Sequence, residues 1–156
     1  MHPKPKNLSV RVLDATKQDI DFINSHSKEF MLAPRRGKSF KTLVAKNGEG
    51  IVGFIQIKGF PLGHWLRKFT STAVIDSLAT RKGYENRRVA RTLLGKANAY
   101  VLRNKFRKVV LDENFSALPR TYGAQGFYAK KTNYLRTGGS TAHFWIPKHS
   151  NRRAKK

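Results

Sequence analysis

Cysteine is absent from the 156 residues, which removes disulfides, thiolate nucleophiles and zinc ribbons together and is neutral about redox compartment. Acids are scarce as well. Nine aspartates and glutamates stand against 32 lysines and arginines, a net charge of +23, far beyond what solubility needs, so a polyanionic partner is expected. The histidines at 2, 26, 64, 143 and 149 include no pair at metal-ligand spacing, and no metal site is expected. No apolar run approaches the ~20 residues of a membrane span, and the N-terminus lacks the apolar core of a signal peptide. The expectation is a soluble, intracellular, cytoplasmic chain with no membrane partner, since no helix with an aromatic-rich apolar face offers surface insertion either. A serine nucleophile elbow and a Walker phosphate loop are also missing, which leaves hydrolase and nucleotidase readings without support.

What is present suits one folded domain: 39% hydrophobic and 11% aromatic residues argue against disorder. The N-terminal MHPKPKN (1–7) and the C-terminal KHSNRRAKK (148–156) are basic extensions. Most of the positive charge nevertheless lies between them, in residues 8–147. A basic face built into a fold is better evidence for nucleic-acid contact than a basic tail.

The pattern between the tails alternates strand and helix signals. LSVRVLD (8–14) reads as a half-buried strand, and Thr16 with Asp19 three residues on offers an N-cap for a helix to about Ser27. FKTLVAKN, the turn NGEG at 47–50 and IVGFIQIKG read as a hairpin whose second strand, apolar on both faces, is central. Residues 60–69, with Pro61 and Gly63, read as a loop, and STAVIDSLAT (71–80) as a buried strand. Val89, Leu93, Leu94, Ala97, Tyr100 and Val101 recur at helical spacing and predict a helix from about Arg88 to Arg103. FRKVVLDE (106–113) reads as a strand, ALPRTYGAQGF holds a short helix ending at Gly126, and NYLRT and TAHFWIP read as two closing strands.

LATRKGYENRRVARTLL (78–94) joins a strand end, a polar turn and a helix start. It is similar to the central motif of the GNAT superfamily of N-acyltransferases, roughly L-A-V-x-P-x-Y-R-G-x-G-I-G-R-x-L-L. Leu78, Ala79, Tyr84, Val89, Ala90, Arg91, Leu93 and Leu94 match it. Asn114 and Ala117, then Tyr122, Gly126 and Phe127, resemble a second motif of that family, with one extra residue between its halves. The resemblance covers about residues 8–147. It implies an α/β GNAT fold, a mixed central sheet of six to seven strands flanked by helices, and acetyl-CoA as acyl donor. The residues it places at the coenzyme are Leu78, Ala79, Arg87, Arg88, Val89, Ala90, Arg91 and Asn114, with backbone N–H groups and the helix N-terminus at the pyrophosphate. Most of the family's glycines are replaced: Glu85 stands where Arg or Gln is preferred, Asn86 at a frequent glycine, and Arg88 at the glycine of the Q/R-x-x-G-x-G/A signature.

In such a family Tyr122 would protonate the leaving thiolate; the plain reading is that its ring packs. Acyl transfer to an amine also needs a base. Asp76, a carboxylate inside an apolar strand, is either that base or half of a structural ion pair. Asp112, Glu113 and Glu85 are the other acids outside the N-terminal elements. The surplus charge is either a solvated surface or a phosphate-tracking face. That face would run over Arg35, Arg36, His64, Trp65, Arg67, Lys68, Arg152 and Arg153, with Phe60, Trp65 and Phe69 for base stacking. His64 alone would be an incidental loop histidine, and His143 reads as a strand residue. The function expected is acetyl transfer, without an acyl-enzyme, to a primary amine of a nucleic-acid-linked substrate such as an aminoacyl-tRNA or an amine-modified base. The alternative is a GNAT-like module that has lost its coenzyme and only binds nucleic acid or joins a ribonucleoprotein.

Overall fold

The computed structural model describes residues 9–69, 71–85, 88–112, 127–132 and 142–147. Seven strands form one sheet in the order β1-β2-β3-β4-β5-β7-β6. They are β1 (Arg11–Asp14), β2 (Phe40–Asn47), β3 (Gly50–Lys58), β4 (Thr72–Thr80), β5 (Lys108–Asp112), β6 (Phe127–Thr132) and β7 (Ala142–Pro147). Among these neighbours β4 and β5 alone run parallel, because α3 (Val89–Arg103) crosses back over the sheet between them. Helices α1 (Lys17–Ser25) and α2 (Ser27–Phe30) lie between β1 and β2 in sequence.

β3 carries the core on both faces. Ile55 and Ile57 join Leu43, Ala73 and Ile75 against Leu93, Leu94, Ala97 and Val101 of α3; Phe54 joins Val44 and Ile51 against Ile23 and Phe30. Helices on both faces of the strand explain its unbroken apolar run. The hairpin turn is Gly48-Glu49, since Asn47 opposes Gly50 and the Asn47 side chain accepts the Glu49 N–H at 2.8 Å. Two expectations shift. The loop at 60–69 contains a short 3-10 turn, Trp65–Phe69, and α1 stops at Ser25 because the His26 N–H bonds two carbonyls, Phe22 O and Ile23 O.

One strand was not expected: β6 occupies Phe127–Thr132, just ahead of NYLRT (133–137), which was read as the penultimate strand and lies outside the described residues. Lys130 and Lys131 make FYAKKT look like a polar connection in the sequence, yet its backbone pairs with β7 at the end of the described sheet, and lysine is a common residue on edge strands. The short helix expected before Gly126 lies outside the described residues.

Thr16 caps α1 as its spacing predicts: its Oγ1 accepts the Asp19 N–H at 3.1 Å and the Asp19 carboxylate accepts the Thr16 N–H at 2.9 Å. Asp19 also pairs with Lys46 at 2.7 Å. Burial alone would raise its carboxyl, but hydrogen bonds from Lys46 and Thr16 and the charge of Lys46 together hold it below the ordinary aspartate value. A depressed folded pKa contributes stability above the unfolded value, about 3.9, and loses it as pH falls through the folded one. Asp19→Asn should therefore lower stability by about 1–2 kcal/mol at pH 7. In urea melts the gap from wild type should narrow as pH drops below about 4; a constant gap would contradict this account.

Candidate active site

β5 pairs with β4 only over Thr72–Ile75. From Asp76 to Thr80, β4 keeps β3 on one edge and has no described strand on the other. The opening coincides with a bulge: Ile57 opposes Ile75 and Gln56 opposes Ser77, which leaves Asp76 between them without a β3 partner. Bulges re-aim a side chain out of the ladder. Asp76 keeps 18% of its side-chain surface, lies 3.8 Å from Arg35 Nε and accepts a long hydrogen bond, 3.4 Å, from Ser77 Oγ.

Arg35 is held there through Gln56, which is fully buried. The Gln56 Oε1 accepts the Arg35 N–H at 2.8 Å, and its Nε2 donates to Arg35 O and to Thr42 Oγ1, both at 2.8 Å. Thr42, Gln56 and Ser77 sit opposite one another on β2, β3 and β4, so buried polar side chains form a row across an otherwise apolar sheet. An unsatisfied buried amide would cost about 1–3 kcal/mol; here the chain at Arg35 satisfies it. That bond pattern fixes an exposed cation beside the carboxylate.

Past Thr80 the chain turns through Gly83, whose φ of 91 needs a glycine, and enters α3 at Arg88. Arg88 adopts φ 61 and ψ 12, the left-handed conformation that costs an L-residue roughly 1–2 kcal/mol. The arginine, at the position of a glycine in the family signature, thus holds a backbone conformation that glycine adopts at no steric cost. It places no side chain over the first N–H groups, and no acid occupies the first turn of α3. Among the described residues nothing caps the helix N-terminus against an anion, and Arg88 and Arg91 are exposed beside it with Val89 buried. Glu85, the charge that would oppose an anion, accepts the Gly83 N–H at 2.7 Å. Tyr84, by its hydroxyl, donates to Glu49.

Gly53 brings this turn onto the sheet. A Cβ there would stand 2.8 Å from Val89 Cγ1 and 2.9 Å from Ala79 O, so only glycine lets the start of α3 lie this close to the open half of β4. These residues fit a pyrophosphate: a bare helix start, a small residue at Ala90 and two arginines.

An opened strand edge beside an uncapped helix start, on a sheet covered on both faces, is the frame of an N-acyltransferase. The profile of the Acetyltransferase (GNAT) family matches residues 11–134, and the chain belongs to that family. It is an N-acyltransferase, and acetyl-CoA is the acyl donor of its family. Solved structures agree on the fold. Ribosomal-protein-S18-alanine N-acetyltransferase from Escherichia coli has a TM-score of 0.63 at 13% identity, over 89% of this chain and 93% of that one. PaiA N-acetyltransferase from Thermoplasma acidophilum, in complex with coenzyme A, gives 0.63 at 14%, over 89% and 99%. A spermidine N-acetyltransferase chimera from Vibrio cholerae gives 0.63 at 12%, over 92% and 98%. No curated protein matches in sequence.

The structure brings Arg35, Asp76, Leu78, Ala79, Arg88, Val89, Ala90 and Arg91 to the open half of β4 and the start of α3. Leu78 packs toward the α3 core and Ala79 toward the opposite one. Arg36 is exposed and paired with Asp21. His64 stacks between Phe60 and Trp65 and accepts the Leu66 N–H on Nδ1 at 3.2 Å; Trp65 and Lys68 are exposed. Arg67, expected at the substrate face, is engaged by the chain itself. Its guanidinium donates to Phe60 O at 3.0 Å and to Asn104 O and Lys105 O, both at 2.9 Å, and lies 3.9 Å over the Phe106 ring. Those carbonyls at the end of α3 need a donor, and Arg67 ties the 60–69 segment to them. Tyr122, Arg87, Asn114, Arg152 and Arg153 lie outside the described residues. Among the described residues no group of three or more His, Asp or Glu could hold a metal, and no helix is long and apolar enough to cross a membrane. Gln56 and Gly53 were not singled out from the sequence, although a glutamine and a glycine inside an apolar strand are both anomalies.

Proposed function

We propose that the chain acetylates a primary amine carried by a nucleic-acid-linked substrate, such as an aminoacyl-tRNA or an amine-modified base, by direct transfer from acetyl-CoA. The observation that carries this reading is the cationic approach to a single carboxylate. Arg35, 68% exposed, stands 3.8 Å from Asp76. Asp14, Asp19, Asp21 and Glu29 are likewise each paired with a lysine or arginine, so nine acids leave most of 32 cations uncompensated. A coenzyme site uses a few cations; a phosphodiester chain uses many.

Arg88, Arg91 and the N–H groups at Val89 and Ala90 hold the coenzyme's pyrophosphate. When bound, the coenzyme supplies an activated acetyl thioester. Asp76 accepts the proton that the amine gives up, backbone N–H groups on the open edge of β4 hold the acyl oxygen, and the Tyr122 hydroxyl gives a proton to the leaving thiolate. Arg35 and Arg36, with His64, Trp65, Lys68, Arg152 and Arg153, meet the phosphates and bases of the acceptor.

The test follows transfer of a labelled acetyl group from acetyl-CoA to an amine presented on an oligonucleotide and to the same amine free. The nucleic-acid-linked amine should be used with kcat/KM at least about tenfold higher, an advantage that shrinks as salt is raised. Equal use of both amines at every salt concentration would overturn the proposal.

A further inference from the structure

A second concave surface lies at the far end of α3, about 20 Å from Arg88 along a helix that rises 1.5 Å per residue. It is a cleft of about 620 Å³. Its apolar lining is Val12 and Leu43 of β1 and β2 with Ala99 and Tyr100 of α3, and Leu13 and Leu62 also border it. Leu13 and Leu62 are large apolar side chains left exposed at its edge. The charged groups that line it are Lys41, Lys96 and Arg103 against one acid, Asp14, which is already bound to Lys41 at 2.8 Å. Lys96 and Arg103 have no acid partner among the described residues.

The walls are set in place. Asn104 Nδ2 donates to Tyr100 O at 3.0 Å, its Oδ1 accepts the Leu62 N–H at 3.4 Å, and Arg67 joins Phe60 to Asn104 and Lys105. Tyr100 rests on Phe106, with Lys41 Nζ 5.6 Å from its ring centroid. Burial pushes its phenol above the ordinary tyrosine value, so the hydroxyl is neutral at pH 7 and both donates and accepts. No hydrogen bond engages that hydroxyl among the described residues.

We infer that this cleft binds one unstacked nucleotide of a single-stranded nucleic acid, with the base on the apolar lining beside the Tyr100 hydroxyl and the flanking phosphates on Lys96 and Arg103. An apolar lining that accepts a planar ring, a free donor and acceptor at its edge, and two cations about 10 Å apart along one helix match a base flanked by phosphates. A paired base would not fit, because a duplex keeps its rings stacked and its backbone outermost. The inference rests on the nucleic-acid reading above and adds a docking point remote from the acyl-transfer site.

Fluorescence anisotropy of a labelled single-stranded oligonucleotide, with an unlabelled duplex of the same sequence as competitor, tests it. Lys96→Gln combined with Arg103→Gln should weaken single-strand binding about tenfold and reduce the slope of log K against log salt by about 1.4, two contacts at roughly 0.7 each. Tyr100→Phe, which keeps the ring and its packing, should weaken binding several-fold without changing that slope. Acetyl-CoA binding should be unchanged in both variants, which reports that they are folded. Wild-type binding that is tight but insensitive to all three changes, or a duplex that competes as well as the single strand, would overturn the cleft and leave the nucleic-acid reading standing. A wild-type chain that binds no oligonucleotide even at low salt would overturn both.

Discussion

Asp76→Asn should lower the rate of acetyl transfer by about 10²–10⁴-fold, the usual contribution of a positioned general base. Asparagine keeps the shape of the side chain, so the bulge between Ile75 and Ser77 and the opening of β4 beyond it should persist. What is lost is the proton acceptor and the charge facing Arg35. The expected signature is a fall in kcat with acetyl-CoA affinity close to wild type, because the pyrophosphate contacts are proposed to lie on α3 and not at the bulge. Steady-state kinetics with any amine the wild type accepts gives the answer. A variant as fast as wild type would reduce Asp76 to a structural partner of Arg35, and the base would have to be sought among other groups or bound water.

Gly53→Ala should cost about 1–3 kcal/mol of stability, the range for overpacking a well-filled core, and weaken acetyl-CoA as well. The added methyl meets one contact that can turn, Val89 Cγ1 at 2.8 Å, and one that cannot, the Ala79 carbonyl at 2.9 Å. Leu93 Cδ1 at 3.2 Å blocks the remaining direction. Relief requires α3 to lift from β3 and β4, and its first turn is where the coenzyme's phosphates are proposed to sit. Gly95→Ala is the control: nothing lies within 4 Å of its Cβ, and an alanine inside a helix should add about 0.5–1 kcal/mol. Urea melts with and without acetyl-CoA read both effects. A Gly53→Ala protein as stable as wild type and as responsive to the coenzyme would show that the close approach is not required.

Most of the frame was legible because its signals are local. The Thr16–Asp19 capping box, the turn at Asn47–Gly50 and the apolar stripe of α3 each depend on residues a few positions apart, where spacing states the contact. β6 was not legible. Two lysines on an edge strand carry no period-2 apolar signal, and the pairing that defines it, with β7, is non-local in its energetics.

The site divides in the same way. Arg88 and Ala90 stood out through the resemblance of the strand–turn–helix segment, whereas the left-handed φ at Arg88 is not written in the residue type, since an arginine seldom adopts it. Asp76 stood out as a charge in an apolar strand. Its partner Arg35 is 41 positions away and is fixed through the Gln56 amide, an arrangement that no spacing rule contains. The contacts of Arg67 were illegible for the same reason: a basic loop residue looks solvent-facing until the carbonyls of Asn104 and Lys105 arrive beside it.

The central claim is that the start of α3 holds acetyl-CoA despite its lost glycines. Calorimetric titration of the purified chain with acetyl-CoA, at moderate salt and after bound nucleic acid has been stripped, tests it most directly. The account predicts saturable binding at one site per chain, abolished by Arg88→Glu, which places a carboxylate at the open helix end. Failure to bind up to millimolar coenzyme, or binding indifferent to Arg88→Glu, would contradict it.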